Sequence, residues 1–136
     1  MDIFSDLHHL SDIGLLALRI ATGVIFIVHG VMKFRMWQPN PPMQGGMLQL
    51  MRFLAVVEPI MGVALIVGFL TQISALGGIL IMIGALYLKM AVWKMPFRAD
   101  DKTGWEFDLM ILAGCLMLLF AGAGEWSVDY ALMIGR

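Results

Sequence analysis

The chain has a single cysteine, and only 14% of its 136 residues are charged. A soluble domain carries about 25% charged residues. One cysteine, Cys115, excludes an intramolecular disulfide, and without a C-x-x-C pair the chain carries no thiol–disulfide relay of its own. It sits in an apolar run and reads as packing. No basic cluster is present and the net charge is -1, so nucleic acid is not expected as a partner. The first residues, MDIFSDLHHLSDIG, hold no Lys or Arg and no A-x-A-like site. A cleaved signal peptide is therefore not expected, and the first apolar run should stay in the membrane. Internal repeats and low-complexity tracts are also missing.

Apolar residues are abundant: they make up 60% of the chain, with a mean hydropathy of +0.87. That balance predicts an all-α integral membrane protein, with residues 1–136 as one domain. Four apolar segments read as spans: 13–31, 53–69, 73–93 and 107–123. A span needs about 20 residues, with a range of roughly 17–25. Only Leu70-Thr71-Gln72 separates the second from the third, which predicts a tight antiparallel hairpin. The expected fold is a four-helix bundle running up-down-up-down.

Lys and Arg give the orientation. Lys33, Arg35 and Arg52 surround the first loop, and Lys89, Lys94, Arg98 and Lys102 the third, whereas the N-terminal arm and second loop have none. Loops one and three should face the cytoplasm, with both termini outside. The first loop contains Pro39, Pro41, Pro42 and Gly45-Gly46, which is loop chemistry. A short interfacial helix over 42–52 is expected to feed the second span. Trp37, Trp93, Trp105 and Trp126 fall at span ends, as an interfacial aromatic belt requires.

A few ionisable groups lie inside apolar runs. Each costs roughly 2.5–3.5 kcal/mol on insertion scales, so such groups face a protein interior and often carry function. Arg19, Thr22, Gly23, Phe26, His29, Gly30 and Lys33 share one face of the first helix. Met51, Ala55, Glu58, Gly62 and Leu65 share a face of the second, and Pro59 follows Glu58. The third should turn Gly77, Ile81, Gly84 and Leu88 inward, and the fourth Glu106, Met110, Ala113, Met117 and Phe120. Asp108 lies about 200° around that helix from Glu106, so one of the two acids belongs at the rim. His29, Lys33, Glu58 and Glu106 then converge in the cytoplasmic half. Arg19 lies in the outer half, where Asp129, helped by Ser127, is its expected ion-pair partner and Glu125 the runner-up.

Glu58 reads either as a proton carrier or head-group ligand, or as an acid that sets helix register. His29 reads either as a proton relay or quinone partner, since His titrates near neutral pH, or as a helix-end residue bonded to a loop carbonyl. No metal site is expected, because His29, Glu58 and Glu106 lack ligand spacing. His8-His9 are adjacent and cannot ligate one haem iron from opposite faces. The 13 methionines, including Met43, Met47 and Met51 at helical spacing, offer ligands to Cu(I). They are better read as adaptable apolar filler.

Taken in order, these pieces resemble the DoxX family, within the DoxX/DoxD-like group of small four-helix membrane proteins. The resemblance rests on Arg19, His29-Gly30-x-x-Lys33-Phe34, Glu58-x-x-x-Gly62, Gly68-Phe69-Leu70-Thr71, Glu106, and Gly122-x-Gly124-x-x-Ser127-x-Asp129. It implies a multi-pass protein of the bacterial inner membrane. DoxD-type relatives are associated with thiosulfate:quinone oxidoreduction, and others with membrane redox or oxidative-stress assemblies. Pro59, Asp108 and the Met- and Pro-rich first loop depart from the family pattern. The resulting expectation is a redox-linked protein, or the membrane subunit of an oxidoreductase assembly. Glu58 and His29 would handle protons, and Glu58, His29, Lys33 and Glu106 would bind the ligand. The candidate ligand is a quinone or similar amphiphile, with no covalent cofactor. Expected partners are membrane lipid and either a larger membrane complex or further copies of the chain. The alternative is a non-catalytic accessory subunit that packs against a larger complex.

Overall fold

The computed structural model describes residues 10–98 and 103–134. His8-His9, Lys102 and Arg136 lie outside these. Helix α1 spans Ser11–Lys33, followed by a 3-10 turn at Phe34–Trp37. Helix α2 spans Gly45–Val67 and α3 Thr71–Tyr87, which runs on into a π-helical turn at Leu88–Val92. Helix α4 spans Trp105–Ala121 and the short α5 Val128–Ile134. No strand occurs among the described residues. Three helical stretches are long and apolar enough to cross a membrane: Ser11–Trp37, Gly45–Val67 and Thr71–Val92. Helix α4, with 17 residues, is shorter than any of them.

The expected interfacial helix over 42–52 does not form separately. Helix α2 starts at Gly45 and continues unbroken through Pro59. Gly30 of α1 sits against the Pro59 ring: a Cβ there would come within 2.3 Å of its Cδ. Higher up, Gly23 and Gly62 face each other so closely that a Cβ on either would lie 2.6 or 2.5 Å from the other's carbonyl oxygen. In a membrane, lipid tails compete for apolar surface, so helices associate through close van der Waals packing at small residues. These glycines are why α1 and α2 form one tight pair. Helices α3 and α4 form another, with Gly78 beside Cys115. The shared core comprises Phe26, Leu65, Ala75, Ile79, Met82, Ile111, Cys115 and Leu118.

Two predicted faces are corrected. Helix α3 buries Thr71, Ser74, Ala75, Gly78, Ile79 and Met82, while Gly84 is exposed. Helix α4 buries Asp108, Ile111, Cys115 and Leu118. Met110, Met117 and Phe120, expected inside, are among its most exposed residues. Both helices are apolar on all sides, so hydrophobic periodicity cannot choose a face. Packing against small residues and charge pairing make the choice.

The α2–α3 hairpin is tight. Gly68 takes a left-handed conformation (φ 74°), and Phe69 N donates to the Ala64 carbonyl at 2.9 Å, closing the helix as a Schellman motif. Beyond α4, Gly122 and Gly124 both have positive φ, which turns the chain back toward the hairpin.

Candidate functional site

Glu58 lies midway along α2 and is 1% exposed. Lys33, in the last turn of α1, reaches it and donates to both carboxylate oxygens. The face that packs α1 on α2 therefore also brings these two side chains together. Lys33 stays partly exposed, as a long side chain near a helix end can.

A second ion pair lies between the other two helices. Lys89, in the π turn that ends α3, places Nζ 2.6 Å from Asp108 Oδ2. Asp108 is in the first turn of α4 and is 5% exposed. Sequence reasoning had placed Glu106 here. Glu106 is half-buried and lies outside this cluster; its backbone N–H donates to the Phe97 carbonyl at 3.2 Å. Asp108 takes the inward position because Lys89 supplies a counter-charge there. The missed signal was Lys89 itself, an ionisable residue inside an apolar span like Arg19 and Glu58.

Both pairs border one cavity of about 300 Å³. Its apolar walls include Ile25, Leu54, Ile81 and Ile111, and Met43, Met51 and Trp93 also line it. His29 lines it too, its ring stacked on Phe107 with centroids 5.7 Å apart and planes 20° from parallel. His29 is the one ionisable side chain in this lining that belongs to neither ion pair. Among the described residues no three His, Cys, Asp or Glu side chains cluster as metal ligands.

The opposite end of the bundle is built differently from expectation. Arg19 is fully buried, but it does not form a contact ion pair with Asp129. Its Nη2 donates to the Trp126 carbonyl. Asp129 is occupied at the start of α3, accepting from Leu70 N at 2.8 Å and Thr71 N at 2.9 Å. Those N–H groups have no partner within the helix and carry its positive dipole end, so they outcompete the guanidinium. Ser127 accepts from Tyr130 N at 3.1 Å, capping α5, and Glu125 accepts from the Tyr130 hydroxyl at 3.3 Å. Asp12 receives the Glu125 N–H at 2.9 Å, which joins the start of α1 to this returning segment.

Long apolar helices with two ion pairs bordering a cavity between them define a class: a helical membrane protein with a polar site among its helices. The sequence model of the DoxX family matches residues 14–91. The chain belongs to the DoxX family. The match includes Lys33, Glu58 and Lys89 but ends before Asp108. Across nearly its whole length the chain is similar to CatD of Bacillus subtilis (strain 168), a protein provisionally named an oxidoreductase. The two are 31% identical over 128 residues, 92% of this chain and 91% of that one. It is also similar to Rv3486 of Mycobacterium tuberculosis (strain ATCC 25618 / H37Rv), named as an uncharacterized membrane protein. Identity there is 27% over 139 residues, 93% of this chain and 85% of that one. No solved structure is a significant match.

Proposed function

We propose that this DoxX-family chain is a redox-linked protein of the bacterial inner membrane that binds a quinone or similar amphiphile in its cavity. Glu58 and His29 are the groups that handle protons. One observation carries the reading: a cavity of about 300 Å³ combines apolar walls with Glu58, Lys33 and His29. Small-molecule sites are pockets of about 300–1,000 Å³, mostly apolar, with a few placed polar groups. The oxidoreductase name of CatD supports the same direction. The chain has no motif for a redox centre, so electrons come from the bound molecule or from a partner in a larger membrane complex.

The proposal includes four crossings, with α4 as the fourth. Its 17 residues reach the lower end of the roughly 17–25 that span hydrocarbon. Both termini face outward, and the cavity opens toward the cytoplasmic half.

The test has two arms. Gentle purification followed by mass spectrometry of bound small molecules should find a quinone or a comparable amphiphile. Glu58→Gln keeps the shape and removes the charge, so it should fold and abolish quinone-linked turnover in the native assembly. Full turnover with Glu58→Gln would end the proton-handling role. The accessory-subunit reading would then stand.

A further inference from the structure

The seams between neighbouring helices differ around the cavity. Between α1 and α2, Gly30 packs on the Pro59 ring and Lys33 holds Glu58. Between α3 and α4, Lys89 meets Asp108 at 2.6 Å. Between α1 and α4, the His29 ring stacks on Phe107. The α2–α3 seam is closed nearer the hairpin, where a Cβ on Gly77 would come within 2.9 Å of Met61 Sδ. Beyond that contact, successive turns of both helices line the cavity: Glu58 and Ile81, then Leu54 and Ala85, then Leu50 and Leu88. Their spacing of three or four residues keeps each set on one helix face. Leu54, Ala85 and Leu88 are half-buried and Leu50 is exposed, so the cavity reaches the surface along this seam.

What fits the opening follows from its chemistry. Its rim is apolar, and the neighbouring Phe53 and Ile83 are large exposed side chains of the lipid-facing surface. The polar groups Glu58, Lys33 and His29 belong to the cavity behind it. At about 300 Å³, the cavity stands at the small end of ligand pockets, which run from about 300 to 1,000 Å³. A head group fills such a volume, and a long tail attached to it must leave through an opening. A tail that leaves into water is penalised in proportion to its apolar area. A tail that leaves through the α2–α3 seam stays among apolar side chains and lipid.

We propose that the seam between α2 and α3 is a lateral doorway from the bilayer, and that the cavity takes a long-tailed amphiphile whose head lies at Glu58, Lys33 and His29 while its tail passes out between Leu54 and Ala85. This rests on the amphiphile-binding reading above. It adds the tail to what the protein recognises, a route of entry, and Leu54 and Ala85 as the residues that select for the tail.

The probes are decylubiquinone and its tail-less parent benzoquinone, with the full chain in lipid nanodiscs and binding read by calorimetry. Ala85→Trp fills the seam. It should weaken decylubiquinone about tenfold or more, as overpacking of a contact does. The tail-less probe should change by no more than about twofold, the usual scatter of a surface substitution. Ile83→Trp, on the lipid-facing side of the same helix, is the control and should change neither. A second measurement needs no variant. The wild-type chain is irradiated with decylubiquinone that carries a diazirine near the middle of its tail, and labelled residues are mapped by mass spectrometry. Labels displaced by excess decylubiquinone should fall on Leu50, Leu54, Ala85 and Leu88. Three results would overturn the doorway and leave the amphiphile reading intact: full decylubiquinone affinity in folded Ala85→Trp, equal weakening of both probes, or displaceable labels confined to Met43, Trp93 and Thr103 at the loop end of the cavity. Binding of neither probe by wild type would overturn both.

Discussion

A carboxylate near a guanidinium need not pair with it. Asp129 is close enough to Arg19 for its charge to act there, but both its oxygens are bound by the first N–H groups of α3. It acts as an N-cap supplied from another element. Its own N–H donates to the Gly68 carbonyl at 2.8 Å, so one residue holds both sides of the hairpin. Leu70 between them has φ 50°, a left-handed conformation that costs a residue with Cβ roughly 1–2 kcal/mol. Asp129→Ala should therefore lower stability by about 0.5–2 kcal/mol, the usual loss of an N-cap, measured by thermal unfolding in detergent. An unchanged midpoint would mean that the cap is idle. Gly68→Ala should be worse. Beside a φ of 74°, its Cβ would lie 1.8 Å from Arg19 Nη1 and 2.5 Å from Ser127 Cβ. A loss of more than roughly 2 kcal/mol is expected, since strain of this kind alone accounts for 1–2. Wild-type stability would show that Arg19 yields freely. The residue scale also shows the limit of reading acids along a chain. The expected Arg19–Asp129 ion pair does not form as a contact, and the bonds of Asp129 to backbone N–H groups have no sequence signature.

At the scale of elements, α1 and α2 were legible and α3 and α4 were not. The inward face of α1 carries Arg19, Thr22, Gly23, Phe26 and Gly30, and that of α2 Ala55, Glu58, Gly62 and Leu65, the same stripes that polar and small residues mark in the sequence. Helices α3 and α4 offer few such marks, so their faces depend on their neighbours. The glycine contact between α1 and α2 yields a further expectation. Gly62→Leu must push the helices apart, because even a Cβ there would lie 2.5 Å from the Gly23 carbonyl and 2.7 Å from Ile27 Cγ1. Cross-linking of cysteines introduced at Gly30 and Pro59 should report that separation as lost yield. Retained cross-linking would mean that the pair tolerates side-chain bulk. The π turn at Leu88–Val92 matters in the same way. It carries Lys89, which lies seven residues after Met82 and so on the same buried face, and places its Nζ 2.6 Å from Asp108 Oδ2.

The whole molecule has an outer surface rich in large apolar side chains, including Ile60, Ile73, Leu80 and Phe120, as lipid contact requires. Apart from Arg19, the Lys and Arg residues of the described segments collect at one end: Lys33, Arg35, Arg52, Lys89, Lys94 and Arg98 all flank the first and third loops. If that asymmetry governs insertion, reporter fusions at Arg98 and Arg136 should fall on opposite sides, with Arg98 cytoplasmic. A cytoplasmic Arg136 fusion would invert the proposed orientation. The sequence alone was enough for the helical class, the membrane setting, the family, and the inward stripes of α1 and α2. Each of these depends on composition or on spacing within one segment. The tertiary structure alone decided that Asp108 rather than Glu106 enters the cavity, that Lys89 faces it, and that Asp129 caps α3 instead of binding Arg19. Those outcomes depend on which groups from different helices come within hydrogen-bonding distance. Where a helix is apolar all round, only its packed neighbours can set its rotation.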